Sequence, residues 1–214
     1  MHAVRYLLLV LALAACGEGQ AAAVDSARAD SLALARQDSI NRAQPGYIVD
    51  SILPMEEQLR RFRAGLGDAP HEFKDAATSR DALVRSFVRA LEAADTATLV
   101  RLTISRAEFA YLVFPDSPLS REPYAQAPDL VWMRHAGASA TGLGRVLDRF
   151  GGKSIGYRSA RCTDGPRFEG DNRISGGCRV RFAPEGGNAT ELSLFAAIIA
   201  RHGRYKVFSY ANAF

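Results

Sequence analysis

Two kinds of hydrophobic spacing divide most of the chain. Between residues 79 and 150, apolar side chains recur every three or four positions, as Leu83, Phe87 and Leu91 do, and this period predicts helices. From Ile155 onward apolar and polar residues tend to alternate, which is typical of half-buried strands. Helices grouped first and strands grouped last predict an α+β fold with the helices on one face of an antiparallel sheet.

Capping residues and glycines mark the ends of the predicted helices. Asp95 can end the first run and cap a shorter one, while Ser105 and Glu108 have the spacing of a capping box. A longer helical pattern over residues 130–150 follows a proline-rich loop and is closed by two glycines. Its glycine-containing middle, residues 137–144, is weak in helical propensity and predicts a kink or a split.

Four successive strands are predicted after these helices. Their short links are typical of an antiparallel meander. The first link, residues 163–177, is polar and rich in glycine, and it predicts a long hairpin loop. The predicted strands cover residues 155–162, 178–182, 191–200 and 204–210.

The start of the chain has the pattern of an export signal. Arg5 precedes an apolar run over residues 6–13, and two alanines lead to Cys16. The apolar stretch of about ten residues is too short to span a bilayer, which takes roughly 20. Residues 13–16, Leu-Ala-Ala-Cys, resemble the lipobox of bacterial lipoproteins, which implies cleavage before Cys16 and lipid on its sulfur. The alternative is an ordinary signal peptide with a cysteine there by chance.

The lipobox resemblance also predicts where the protein resides. A lipid-bearing Cys16 makes the membrane a partner, because two or more acyl chains hold a protein stably at a bilayer. In the Gram-negative sorting scheme that this resembles, an aspartate at Gly17 would favour the inner membrane. Gly17 therefore favours the outer membrane, with the protein facing the periplasm.

The pattern divides the chain into four parts. Residues 1–15 form the leader, residues 16–45 a polar tether that is partly helical or disordered, residues 46–70 a connector, and residues 71–214 the α+β domain. The connector contains an amphipathic helix whose apolar face can belong to the core or meet lipid or a partner. That face consists of Met55, Leu59, Phe62 and Leu66.

Two cysteines remain once Cys16 carries lipid. Cys162 and Cys178 in an oxidising compartment predict a disulfide. A redox-active pair is the alternative, although the Cys-x-x-Cys spacing is missing, and a metal pair would need His or acidic partners nearby.

Charge adds little about partners. The chain has 27 Lys+Arg and 23 Asp+Glu, and the basic excess lies in its C-terminal third. Such a surface can face anionic lipid or an acidic ligand, or it can be a solvated sheet face. An exported protein meets little nucleic acid, so we expect no nucleic-acid partner.

Residues 79–95 with Leu99 resemble the opening helices of the nuclear-transport-factor-2-like (NTF2-like) superfamily. The pair of strands over residues 194–199 and 203–207 is similar to the end of that family. The resemblance implies N-terminal helices packed on a curved four-stranded antiparallel sheet, an NTF2-like or cystatin-like cone with an apolar pocket. The family includes isomerases, cyclases and dehydratases, and also binding and dimerising domains, so it leaves enzyme, binding module and homodimer open.

No catalytic or cofactor motif accompanies these patterns. The three histidines that follow the leader, His71, His135 and His202, are isolated, so no metal or cofactor is predicted. If the cone hosts catalysis, a buried acid and a phenol would be its tools. The pocket candidates are Asp95, Tyr111, Trp132, Tyr157 and Tyr210. The simpler interpretation is that the aromatic residues are core and Asp95 ends a helix.

Two hypotheses of function follow. The first is a lipid-anchored envelope protein whose domain binds a small apolar molecule or another envelope protein. The second is an NTF2-like lyase or isomerase acting on a small apolar substrate. The second requires a buried carboxylate beside a Tyr or His in the pocket, and the first does not.

Overall fold

The structure is a computed structural model that describes residues 28–44 and 53–212. The leader, Cys16 and the lipobox lie outside the described residues. The chain forms two units, residues 1–52 and residues 53–214. In the first unit, residues 28–42 form helix α1, whose side chains are almost all exposed.

The second unit begins with helices. Side-chain caps hold three of their starts. Ser79 Oγ accepts from Ala82 N at 3.1 Å. The two predicted caps are confirmed: Asp95 Oδ1 accepts from Thr98 N at 2.9 Å, and Ser105 opens a complete capping box. The helices are α2 (Met55–Arg63), α3 (Arg80–Glu92), α4 (Thr96–Arg101), α5 (Arg106–Glu108) and α6 (Pro128–Phe150), with a π-helical turn (Phe109–Val113) and two 3-10 turns (Phe114–Asp116, Pro118–Ser120) between α5 and α6.

An antiparallel sheet follows the helices and confirms the α+β prediction. It has five strands within the described residues, where four were expected: β1 (Tyr157–Glu169), β2 (Asn172–Phe182), β3 (Thr190–Leu192), β4 (Ala197–Arg201) and β5 (Arg204–Ser209). The sheet is open, with the order β1-β2-β4-β5, and β3 pairs with the far end of β2.

The fifth strand arises because the predicted strand over residues 191–200 is interrupted. β3 pairs with Val180–Phe182 and β4 with Arg173–Ser175, so both lie on the same edge of β2. Between them Ser193 Oγ donates to the Cys178 carbonyl oxygen at 3.0 Å, and the side chains of Leu194 and Phe195 enter the core. A continuous apolar run therefore conceals a break in the backbone pairing.

The prediction of a loop over residues 163–177 is wrong. β1 and β2 continue through most of it and meet at a tight turn formed by Gly170 and Asp171. The side chains of residues 163–168 are exposed on both faces of β1. Their polarity reflects this solvation, and the sequence therefore lacks the alternation that marks a half-buried strand.

The predicted disulfide is confirmed. Cys162 and Cys178 are direct cross-strand partners on β1 and β2, with their Cα atoms 3.9 Å apart. The two cysteines are 16 residues apart in sequence. Closing a loop of this length contributes roughly 3 kcal/mol to stability in the chain-entropy model.

Two hydrophobic clusters form the core of this unit. The larger lies between α3, α6 and the sheet and is centred on Leu83, Phe87, Leu91, Val180 and Phe195. The smaller joins α2 to the π-helical turn and the sheet and includes Phe62, Phe109, Phe114 and Ile199. Phe62 of α2 belongs to this second cluster, and Met55, Leu59 and Leu66, the last beyond the end of α2, pack against it. The predicted apolar face therefore belongs to the core.

Helix α6 runs unbroken for 23 residues, so the predicted split at residues 137–144 is wrong. The C-terminal segment crosses the helix at Gly142, where a Cβ atom would lie 1.7 Å from the Tyr210 carbonyl oxygen. Asn212 Nδ2 secures this crossing by donating to the Gly142 and Leu194 carbonyl oxygens at 3.2 and 3.1 Å. Glycine is needed there for close approach, while the helix itself continues.

Two glycine substitutions in α6 test this crossing. We expect Gly142→Ala to lower the free energy of unfolding by about 1–3 kcal/mol, because the helix must move away from Tyr210. Gly137→Ala meets nothing within 4 Å and should raise it by up to about 1 kcal/mol through helix propensity. Urea unfolding of the two variants measures both values. Equal effects at the two positions would contradict the close packing at Gly142.

Candidate functional site

A cavity of about 770 Å³ opens between α4 and the loop after it, α6, and the end of the sheet. Its lining is mainly apolar. The large apolar and aromatic side chains that line it are Val100, Ile104, Trp132, Leu143, Leu147 and Tyr210. A concave, mainly apolar surface of this size is typical of a small-molecule site.

Small residues of α6 leave this space open. One face of α6 lines the cavity, beginning with Trp132 and continuing with four small residues, Ala136, Ser139, Ala140 and Gly144. Larger residues at these positions would fill the space between the helix and β5, as side chains do elsewhere in the core. The cavity is therefore already encoded in the composition of one helix face.

A buried carboxylate stands at the cavity wall. Glu108 is 1% exposed, and its two oxygens accept four hydrogen bonds. Oε1 accepts from Lys74 N at 2.7 Å and from Lys206 Nζ at 3.0 Å, while Oε2 accepts from Ser105 N at 2.6 Å and from Lys206 Nζ at 3.0 Å. These four hydrogen bonds, from three donor groups, satisfy the carboxylate in its ionised form.

Lys206 completes a buried ion pair with Glu108. The side chains of Lys206 and Glu108 are only 4% and 2% exposed, and both residues line the cavity. Burying an ion is costly unless a partner offsets it. An ammonium group has three N–H donors, and among the described residues its hydrogen bonds go to this one carboxylate.

His135 brings an uncharged imidazole to the same cavity. Its ring lies among aromatic rings, 4.9 Å from Phe208, 5.8 Å from Trp132 and 6.0 Å from Phe109 between centroids. Burial lowers the pKa of His135 below the ordinary value of 6.5, and a hydrogen bond with the Phe208 backbone opposes this shift to a smaller extent. The imidazole is therefore neutral at neutral pH.

Tyr210 closes the wall at the end of the sheet. Its hydroxyl donates to the Leu99 carbonyl oxygen at 2.9 Å, and its ring packs against Phe87. Burial raises the pKa of Tyr210 far above its ordinary value, so the phenol keeps its proton. A phenol held in this way supports the wall and is not free to exchange a proton with a ligand.

The five sequence-predicted pocket candidates occupy different places. Trp132 and Tyr210 line the cavity. Asp95 caps α4 at the surface, where hydrogen bonds from the Thr98 side chain and backbone lower its pKa. Tyr111 lies under the Arg63 guanidinium at 4.5 Å, and Tyr157 is 5.6 Å from that of Arg85, both outside the lining.

Three polar residues of the site were not among those candidates. Glu108 was recognised as a helix-capping residue, and His135 as one of three isolated histidines, but neither pattern indicates a cavity. Lys206 lies in a strand of alternating pattern, where a charged residue is expected to face solvent. Its position between Tyr205 and Val207 on the last strand is only a weak indication that the lysine is buried.

Comparison of the chain with protein-family models, with curated proteins and with solved structures finds no match. Within residues 28–44 and 53–212, no group of three or more His, Cys, Asp and Glu side chains is placed to hold a metal ion. In the same part of the chain, no helix is both long enough and apolar enough to cross a bilayer.

The ion pair is expected to matter for stability. Glu108→Gln leaves the Lys206 charge buried without its partner and should cost about 3–5 kcal/mol of unfolding free energy. The double variant Glu108→Gln/Lys206→Met should recover a large part of this loss, since it removes the stranded charge. Urea unfolding of the single and double variants measures the coupling.

A surface pair serves as control for this experiment. Asp81 and Arg85 form an exposed i,i+4 salt bridge at 2.6 Å, and Asp81→Asn should have a much smaller effect. If Glu108→Gln destabilises no more than Asp81→Asn, the buried pair does not contribute as described.

His135 is expected to make stability depend on pH. Its folded-state pKa lies below its unfolded value, so the unfolded chain binds more protons in the window between the two. The stability that the neutral His135 imidazole contributes to the folded state is fully present above pH 6.5 and is lost as the pH falls through the lowered pKa. Urea unfolding at several pH values should show a weaker acid dependence for His135→Gln than for His71→Gln, which alters an exposed histidine. Identical pH profiles would refute this assignment.

Proposed function

We propose that residues 53–212 form a binding domain for a small, mainly apolar molecule, carried by a protein that lipid on Cys16 holds in the bacterial cell envelope. The observation that carries the binding proposal is the cavity of about 770 Å³ beside α6. Binding pockets of about 300–1,000 Å³ with few polar groups are typical for small ligands. Here the polar groups include one ion pair, one neutral imidazole and a few hydroxyls.

The state of Glu108 favours binding over catalysis. A general base needs a lone pair free to take a proton from the substrate, and all four hydrogen bonds to Glu108 come from the protein. The alternative is an NTF2-like lyase or isomerase. The feature that favours it is His135, whose neutral imidazole lines the cavity and can accept a proton. The order of elements along the chain, with the helices before the sheet, supports this NTF2-like alternative.

The anchor proposal rests on the leader. A basic residue, a short apolar run and the Leu-Ala-Ala-Cys motif precede the tether. The disulfide supports export as well, because such bonds persist in oxidising compartments such as the periplasm. Gly17 after the cysteine makes the outer membrane, facing the periplasm, the proposed location.

The anchor is tested with Cys16→Ser in a bacterial host. Serine lacks the sulfur that receives the lipid, so the leader should stay uncleaved and metabolic labelling with a radioactive fatty acid should be lost. Gly17→Ser is the neighbouring control and should keep both processing and label. Unchanged processing and labelling of Cys16→Ser would contradict the lipoprotein proposal.

The cavity is tested with a bulky residue on α6. Ala136 lines the cavity and Ala138 is exposed on the other side of the same helix, so Ala136→Phe and Ala138→Phe are matched variants. The neutral probe N-phenyl-1-naphthylamine should bind the oxidised full chain carrying Cys16→Ala. We expect Ala136→Phe to weaken binding at least tenfold and Ala138→Phe to leave it unchanged.

Trp132 provides the readout of this experiment. It is the only tryptophan of the chain and lines the cavity, so energy transfer from Trp132 reports probe bound nearby. Apolar segments elsewhere contribute the same background to both variants. Equal binding by the two phenylalanine variants would contradict the cavity as the binding site.

A further inference from the structure

The exposed residues that line the cavity, which form its mouth, carry more positive than negative charge. Among its exposed lining residues are three cations, Lys74, Arg101 and Arg106, and a single carboxylate, Asp75. None of the three cations forms a salt bridge within residues 28–44 and 53–212. Arg101 donates to Thr98 Oγ1 at 2.6 Å and interacts electrostatically with Asp95 at longer range. Arg106 lies over the Phe62 ring.

The Glu108 carboxylate brings two of these cationic residues together. Its oxygens accept hydrogen bonds from the backbone of Lys74 and from that of Ser105, the residue before Arg106. The negative charge of Glu108 does not cancel the exposed cations, because Lys206 offsets it inside the protein. The mouth therefore keeps a net positive potential, which attracts anions.

The interior, by contrast, disfavours an anion. Its lining is mainly apolar, and burying an unpaired charge is costly. An anion beside Lys206 would also lie close to the Glu108 carboxylate and be repelled by it. A ligand that satisfies both regions has its apolar part inside and its negative charge outside.

From this arrangement we propose that the ligand is an amphiphile, with an anionic headgroup held at the mouth by Lys74 and Arg101 and an apolar chain inside the cavity. This inference rests on the proposed binding function and specifies the class of ligand. Arg106 adds to the same field from its position over Phe62.

Decanoate and decanol test this inference, since they share one chain and differ in headgroup charge. Each displaces N-phenyl-1-naphthylamine from the full chain carrying Cys16→Ala, at mildly alkaline pH where decanoate is ionised. We expect decanoate to bind about three- to tenfold more tightly than decanol at low salt, because exposed charge contacts are individually weak. Added salt should reduce this preference.

Charge variants at the mouth should change the preference in opposite directions. Lys74→Gln/Arg101→Gln should remove most of the preference for decanoate, and Asp75→Asn should increase it. Lys153→Gln/Arg158→Gln removes the same charge from exposed residues outside the lining and should leave the ratio unchanged. Decanol binding by each variant shows that its cavity is intact.

The outcomes separate the inference from the function on which it rests. A decanoate preference that falls in the first double variant and rises in Asp75→Asn supports the inference. Equal affinities for decanoate and decanol, or a preference that is unchanged in the mouth variants, overturn it and leave the binding function standing. Failure of both compounds to displace the probe overturns the inference and contradicts the proposed function as well.

Discussion

The buried contact between Glu108 and Lys206 joins three separate parts of the chain. Glu108 closes the capping box of α5, holds the backbone of Lys74 and pairs with a lysine from the last strand, 98 residues further along the chain. The first contact fixes the loop that follows α4, the second ties the segment before α3 to it, and the third fixes β5 against both. The cavity lies where these parts meet α6, so its wall depends on this ion pair.

The contact between Glu108 and Lys206 also determines where charge and apolar surface lie in the site. Glu108 and Lys206 neutralise each other within the protein, which leaves the cavity interior mainly apolar and its exposed rim basic. A site of this kind holds a ligand by burial of apolar surface and orients it by a few charged contacts. The side chains that line the cavity make fewer protein contacts than they would in a filled core, which lowers stability. Two hydrophobic clusters and a disulfide stabilise the fold around it.

Local patterns predicted the helices better than the sheet. Asp95, Ser105 and Glu108 act through neighbours in sequence, so the starts of α4 and α5 could be read from the chain. The extension of β1 and β2 could not, since both faces of β1 are exposed over residues 163–168 and carry no alternation. The break between β3 and β4 was hidden for the opposite reason, because core side chains continue through it.

The candidate site was predictable only in part, for a related reason. Trp132 and Tyr210 are large aromatic residues, and such residues tend to line cores and pockets. Lys206 and Glu108 become a site only through a contact across the fold, which no local spacing encodes. His135 belongs to the same class, since Phe109 and Phe208 reach it from distant segments and bury it together with its helix neighbour Trp132.

A crystal structure of the protein with ω-bromodecanol would show directly whether the cavity beside α6 is a ligand site. The bromine at the chain end gives an anomalous signal that locates the ligand without assumptions about its pose. We expect this signal inside the cavity, among Trp132, Leu143 and Leu147. Bromine found only on the protein surface, with the cavity free of ligand, would contradict the proposed binding site.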